Sequence, residues 1–307
     1  MPVSHPNNMN TEQSPVAVVG LGLIGTSLAK RLLDAGFVVH GYDVDPARVA
    51  NFEKLGGRAA ATLRDVARAA RTIVLSVFNT DQVEAVVEGK AGAAHLELDA
   101  GHAVVCTSTC DPDRVAMLAV RVAERGVRFL EMPLSGNSDQ IALGNGIGLV
   151  GGTRDLMDEL APVLATLCKK YYFLGSAGAA GRGKLAVNLI GGLNRAVMAE
   201  GLSFAESMGL ELEAFLEVLK ASAAYSRTMD NRGLKMIRSD YEPHAKLSQS
   251  RKDFALMHSM AERVGQELPL AGLYVELVES CLAHGEGDLD NSAVMKELRR
   301  RRLSSGA

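Results

Sequence analysis

The chain contains no tryptophan, few aromatic residues (5%) and only four cysteines among 307 residues. Cys106, Cys110, Cys168 and Cys281 are scattered through a chain long enough to bury a core without covalent staples, so a disulfide scaffold is excluded and a reducing compartment, the cytoplasm, is expected. Cys106 and Cys110 bracket Thr107, Ser108 and Thr109, but no second pair and no neighbouring His completes a tetrahedral set, so no metal is expected. His102, His258 and His284 likewise lack a partner at metal or triad spacing, and no serine sits in a G-x-S-x-G elbow. No apolar run reaches the roughly 18 residues needed to cross a bilayer, so no membrane is expected. Residues 1–14 lack the basic and apolar regions of a signal peptide and read as a disordered tail. The net charge is −3 without a long basic run, so nucleic acid is not an expected partner. The short basic stretch Arg299, Arg300, Arg301 and Arg302 reads first as a solvated helix end. What is left is a globular chain, 47% hydrophobic and 22% charged, which argues against wholesale disorder and against collagen-like or coiled-coil chains.

Two kinds of periodicity divide it. From residue 16 onward, apolar runs of strand length alternate with helical periods: residues 16–19, 37–42, 72–77, 103–107, 127–132 and 147–150. This is the pattern of a parallel sheet covered on both faces. Beyond the glycine-rich stretch 175–183 strand-length runs disappear and long helices are expected, near residues 184–208, 211–221, 246–264, 270–284 and 292–301. The expected fold is therefore α/β, a Rossmann-like doubly wound parallel sheet over residues 15–178, followed by an all-helical domain over 179–307 that serves substrate binding and oligomerisation. The chemistry is expected in a cleft between the two.

Gly20, Leu21, Gly22, Leu23, Ile24 and Gly25 form G-x-G-x-x-G directly after the first strand and at the mouth of a helix. Gly20 permits the tight turn, Gly22 lets the backbone approach a pyrophosphate, and Gly25 allows the helix to pack on the strand. Asp43 stands at the end of the second strand, where a carboxylate receives ribose hydroxyls. The plainer alternative is a tight turn with Asp43 capping the next helix. A carboxylate beside the 2′-phosphate of NADP would repel it, which favours NAD; Arg48, one turn on, offers a phosphate partner and keeps NADP possible. Val77, Phe78, Asn79 and Thr80, and Ser108 with Thr109, lie at further strand ends that should face the same crevice, although turn and cap chemistry would also explain them.

Lys184 and Asn188, four apart at the start of the long helix, project from one face. A lysine in a first helical turn opposes the macrodipole, which eases proton release and suits a proton donor for hydride chemistry. A solvated surface lysine is the commoner occupant of such a position. Arg227 and Arg232, between the middle helices, are read as solvated charges, with an anionic substrate as the alternative partner.

Taken in order, these segments resemble the β-hydroxyacid dehydrogenase family, which includes 3-hydroxyisobutyrate dehydrogenase, tartronate semialdehyde reductase and threonate dehydrogenase. The likeness runs from about residue 16 to 298. It rests on the 20–25 glycines with Asp43, Ser108-Thr109 before Pro112, Pro133-Leu134-Ser135-Gly136, Gly183-Lys184 with Asn188, Lys252-Asp253, and Gly285 through Asp288 to Asp290. The resemblance implies an NAD(P)-dependent oxidoreductase acting on a small carboxylate-bearing hydroxy acid or its semialdehyde or keto partner. It implies Lys184 as the acid/base, assisted by Asn188. It also implies Ser135, Gly136 and Asn137 at the substrate carboxylate, Val77, Phe78 and Thr109 along the cofactor groove, and Lys252 reaching toward the cofactor. A homodimer or homotetramer is expected, since the long helix offers more than one apolar face. Asn137 and Val187 depart from the residues common in relatives, and the segment 187–194 is closer to the threonate-type branch. Two alternatives stay open: imine reduction on the same architecture, whose members replace the lysine, and a dinucleotide-binding sensor without turnover.

Overall fold

The computed structural model describes residues 14–89, 94–136 and 138–302. By internal contacts the chain forms two compact units, 1–184 and 185–307. The expected tail, apart from Ser14, lies outside the described residues.

The first unit is built on a nine-stranded sheet. Its parallel part comprises β1 (Val16–Val19), β2 (Val39–Tyr42), β3 (Arg58–Ala59), β4 (Thr72–Leu75), β5 (Ala103–Cys106) and β6 (Arg128–Glu131), in spatial order β3-β2-β1-β4-β5-β6. At β6 the sheet changes sense. There β8 (Ile147–Gly151) runs antiparallel to β6 and to β7 (Leu134–Ser135), and β9 (Lys170–Gly175) lies parallel to β8.

Both faces are buried, as the unbroken apolar runs require. Val16 and Val18 of β1 enter one core with Leu28 and Leu32 of α1 (Leu23–Asp34) and Leu164 of α8 (Ala161–Leu167). Ala17 and Val19 enter the opposite core with Val66 of α3 (Leu63–Ala69), Val83 and Val87 of α4 (Thr80–Glu88), and Val115 and Leu118 of α5 (Pro112–Ala123). Successive residues of one strand thus serve two cores, because side chains alternate across a sheet.

Three of the nine strands fell outside the sequence reading. β3 and β7 are two residues each, and β9, with buried Tyr171 beside exposed Tyr172, is the edge strand paired to β8. The remaining helices of this unit are α2 (Pro46–Lys54), α6 (Ser138–Ala142) and α7 (Arg154–Glu159).

α9 (Ala179–Ser207) begins in the first unit and carries the division between Lys184 and Leu185. The second unit continues with α10 (Leu212–Ala221), α11 (Arg227–Ile237), α12 (Leu247–Val264), α13 (Pro269–Ala283) and α14 (Val294–Arg300) around a core that includes Leu202, Leu216, Met236, Phe254 and Tyr274. α11 was not expected from sequence: its buried face is narrow, formed by Met229, Arg232, Gly233 and Met236. None of the described helices is long and apolar enough to cross a membrane.

Buried ion pairs knit this unit. Arg232, expected as a solvated charge, is buried with its Nε 3.2 Å from Asp290 Oδ1. Asp290 also accepts from the His244 and Ala245 amides and from Ser292, so the motif ending at Asp290 clasps the segment leading into α12. The basic stretch is exposed at the end of α14, as a helix end, with its charges paired: Arg299 and Arg302 with Glu206, Arg300 with Glu286 and Glu297, and Arg301 with Glu297.

Candidate active site

The order of strands reverses at β1, which has β2 on one side and β4 on the other, so the crevice at its carboxyl end is where an open α/β sheet takes a ligand. Gly20 there has φ +91°, and a Cβ on it would lie 2.4 Å from Ser76 O. On Gly25 a Cβ would fall 1.8 Å from Gly20 O. Both positions therefore require glycine for turn and packing. Gly22 is the N-cap of α1 and brings no side-chain acceptor, which leaves the first-turn amides for an external anion.

Asp43 does not cap α2. That role belongs to Asp45, which accepts from Ala47 N at 2.9 Å. Asp43 instead reaches back: Oδ2 accepts from Leu21 N at 2.7 Å, Oδ1 from Asp45 N at 2.9 Å, and its side chain is only 4% exposed. The carboxylate thus ties the glycine loop to the end of β2. Arg48 stands 3.4 Å from Asp43 and 3.3 Å from Asp45, so its charge already faces two carboxylates.

At the neighbouring strand ends Ser108 joins β4 to β5: its hydroxyl accepts from Val77 N at 3.0 Å and donates to Val77 O at 2.8 Å. Asn79 caps α4 through Gln82 N, and Phe78 is exposed beside it with its amide on Gln82 Oε1. Thr109 follows Ser108, half-buried. The uncapped α1 start, the two obligate glycines and the buried Asp43 fit a dinucleotide.

On the β7 side, Ser135 pairs with Ile147 and Gly136 has φ +149°. Asn137 lies outside the described residues.

Lys184 is 7% exposed. It is the sixth residue of α9, not a first-turn residue, because the helix starts at Ala179. The macrodipole acts mainly over the first turn, and here the first turn is already met by a carboxylate. Glu131, at the end of β6 and 3% exposed, accepts from Ala180 N at 2.8 Å and from Gly181 N at 3.2 Å. The helix terminus is therefore not the source of Lys184 reactivity that the sequence suggested. Burial pushes the Glu131 carboxyl up, while the amides of Ala180, Gly178 and Gly181 pull it down.

In the second unit Asn188 donates through Nδ2 to Asp253 Oδ2 at 2.8 Å. Asp253 also faces Gln249 Nε2 at 3.4 Å and Lys252 Nζ at 3.1 Å, and is 7% exposed overall. Asn188 Oδ1 can only accept a hydrogen bond, so the carboxylate is met by Nδ2 alone. Lys252, expected to reach toward the cofactor, is held against its own neighbour.

Glu131 and Asp253 were both missed as site residues. Asp253 adjoins Lys252 in a quoted motif, and Glu131 stands two positions before Pro133. Neither spacing reveals a partner 49 or 65 residues away.

Residues 15–175 match the family model described as the NAD binding domain of 6-phosphogluconate dehydrogenase. Residues 178–298 match that described as the NAD-binding domain of NADP-dependent 3-hydroxyisobutyrate dehydrogenase. The chain is 30% identical over 282 residues to an L-threonate dehydrogenase of Cupriavidus necator, covering 92% of this chain and 95% of that protein. It is 30% identical over 280 residues to a 2-hydroxy-3-oxopropionate reductase of Escherichia coli, covering 91% and 95%. A crystal structure of 3-hydroxyisobutyrate dehydrogenase from Salmonella typhimurium superposes with a TM-score of 0.84 at 28% identity, covering 92% of this chain and 99% of the other.

Proposed function

This chain belongs to the β-hydroxyacid dehydrogenase family, and we propose on that premise that it moves a hydride between NAD(P) and a small hydroxy acid and its semialdehyde or keto partner, with Lys184 as general acid and base. It is an NAD(P)-dependent oxidoreductase. The observation that carries the lysine assignment is the burial of Lys184 one helical turn from Asn188, whose amide is oriented by Asp253.

The bound nicotinamide supplies the hydride acceptor or donor. In oxidation the neutral Lys184 Nζ takes the proton of the substrate hydroxyl. In reduction its ammonium returns a proton to the carbonyl oxygen, since an oxygen gaining negative character needs a positioned donor. Asn188, with its amide oriented by Asp253, assists the lysine. Ser135 and the backbone at Gly136 hold the substrate carboxylate through hydroxyl and amide donors.

The reading extends to small polyhydroxy acids of the threonate type as substrates; the 187–194 segment and the similarity to the relative from Cupriavidus necator support it. NAD is preferred over NADP: a 2′-phosphate would meet Asp43 and Asp45 against the single Arg48, which both already engage. The protein works as a homo-oligomer. Val187, Ile190, Val197 and Phe204 are exposed on α9 at spacings of three or multiples near 3.5, an apolar stripe suited to a second copy of the helix. Light scattering of Phe204→Glu should give a smaller particle than the wild type; an unchanged mass would refute the stripe as the interface.

The deciding experiment is an initial-rate panel with 3-hydroxyisobutyrate, glycerate, threonate and 4-hydroxybutyrate, each with NAD and NADP. Lys184→Ala should lower kcat by about 10²-fold or more while NAD binding persists. Full activity in that variant would overturn the lysine assignment.

A further inference from the structure

Glu131 sits where a carboxylate needs a reason. A buried carboxyl group is costly unless its oxygens are satisfied, and an apolar residue would close this part of the core more cheaply. Its oxygens instead receive amides from consecutive residues of α9, Ala180 on Oε1 and Gly181 on Oε2, and the Gly178 amide just before the helix also bonds to the carboxylate. Such charge-assisted bonds to a helix start are among the stronger ones available.

The surroundings are shaped to admit it. Gly151 faces Glu131 across the β6–β8 ladder, and a Cβ there would lie 2.3 Å from Oε1. A Cβ on Gly181 would lie 3.3 Å from Oε2 and 3.2 Å from Pro112 Cβ. Gly178 has φ +94°, and a Cβ on it would stand 2.9 Å from Pro112 O. The glycine-rich stretch is thus a close-packed seat for the first turn of α9, wedged between Pro112 and Glu131.

Two amides converging on two oxygens set both the height and the rotation of that turn. Ala180, fully buried, is four residues before Lys184 and so lies on the same side of the helix, one turn below it. We infer that Glu131 is a positioning residue for Lys184, fixing the start of α9 so that the lysine nitrogen stands at the reacting oxygen. The inference rests on the acid/base reading of Lys184 and is separable from it.

The test is a cycle of four proteins: wild type, Glu131→Gln, Lys184→Ala and the double variant. Each is assayed for kcat, KM and the stoichiometry of NAD binding. Gln keeps the length of the side chain but replaces one of the two acceptors by a donor. Glu131→Gln should lower kcat by about 10–100-fold, the scale of a misplacement near 1 Å, with KM for NAD and binding of one NAD per chain unchanged. In the Lys184→Ala background the same change should alter the residual rate by less than about twofold, because residues that act as a unit are not additive. An unchanged kcat in Glu131→Gln, or an equal loss in both backgrounds, would overturn the inference. Full activity of Lys184→Ala would instead remove the reading beneath it.

Should Glu131→Gln fail to fold, Glu131→Asp keeps the charge with a shorter reach and should give an intermediate kcat with the same non-additivity; equal losses in both backgrounds again refute it. Asp113→Asn, which breaks the exposed bridge from Asp113 to Arg182 in the same turn, should leave kcat unchanged. A loss matching that of Glu131→Gln would mean that any disturbance of the turn suffices, and would equally overturn the proposal.

Discussion

Lowering the pH from 7 to 3 should destabilise the protein through Glu297, and the amount can be worked from its surroundings. Burial pushes this carboxyl up, but hydrogen bonds from Arg301, Ser280 and Arg300 outweigh it and bring the group down to about 2. Its side chain is 6% exposed, whereas Arg300 is 31% and Arg301 50% exposed. A group depressed on folding contributes stability that is complete above its unfolded value, near 4.5, and is lost as the pH falls toward 2. The full depression corresponds to about 3 kcal/mol, and roughly 2 kcal/mol of it is gone at pH 3. Screening at the half-exposed Arg301 trims the working figure to about 1–2 kcal/mol. Glu206, Glu286 and Asp290 are depressed too, so the wild type should lose more than this in total. Urea unfolding at 25 °C, read at pH 7, 5, 4 and 3 on wild type and Glu297→Gln, isolates the single group. At pH 7 the variant should be less stable, and about two-thirds of the gap should be gone by pH 3. A gap that stays constant across the series would refute the assignment.

Three further outcomes follow from the same contacts. Gly25→Ala should abolish NAD binding and destabilise the first unit by more than about 3 kcal/mol, since the added methyl meets backbone at Gly20; calorimetric titration with NAD checks it, and binding near wild-type strength would contradict the geometry. Asp253→Ala should cost about 1.5–3 kcal/mol of stability and about tenfold or more in kcat, by releasing Asn188 from the carboxylate that orients it; steady-state kinetics beside urea melts separate the two effects. Gly272→Ala, in α13 with nothing within 4 Å of the added methyl, should raise stability by about 0.5–1 kcal/mol, seen as a later urea midpoint at unchanged slope.

Much of this protein was legible from local pattern. Unbroken apolar runs of three or four residues announced β1, β4 and β5, because a strand buried on both faces has no polar side to show. The helical period announced α10, α12 and α13 to within a residue or two at each end. Gly20 and Gly25 announced a dinucleotide turn, because a backbone approach of that closeness admits no side chain. β3 and β7 escaped because two residues carry no period, and α11 because its inward face spends one position on Arg232.

The sequence by itself therefore determined what depends on neighbours along the chain: strand and helix periodicity, the obligate glycines, and the family motifs in their order. Only the tertiary structure decided which charges meet. It turned Asp43 onto Leu21, set Asp253 under Asn188, buried Arg232 on Asp290, consumed the terminal arginines in Glu206, Glu286 and Glu297, and brought Glu131 to the first turn of α9. Periodicity is a property of the backbone over a few residues. An ion pair or a buried hydrogen bond is a property of two side chains that the fold brings within 3 Å from anywhere in the chain, and no spacing in the sequence records that encounter.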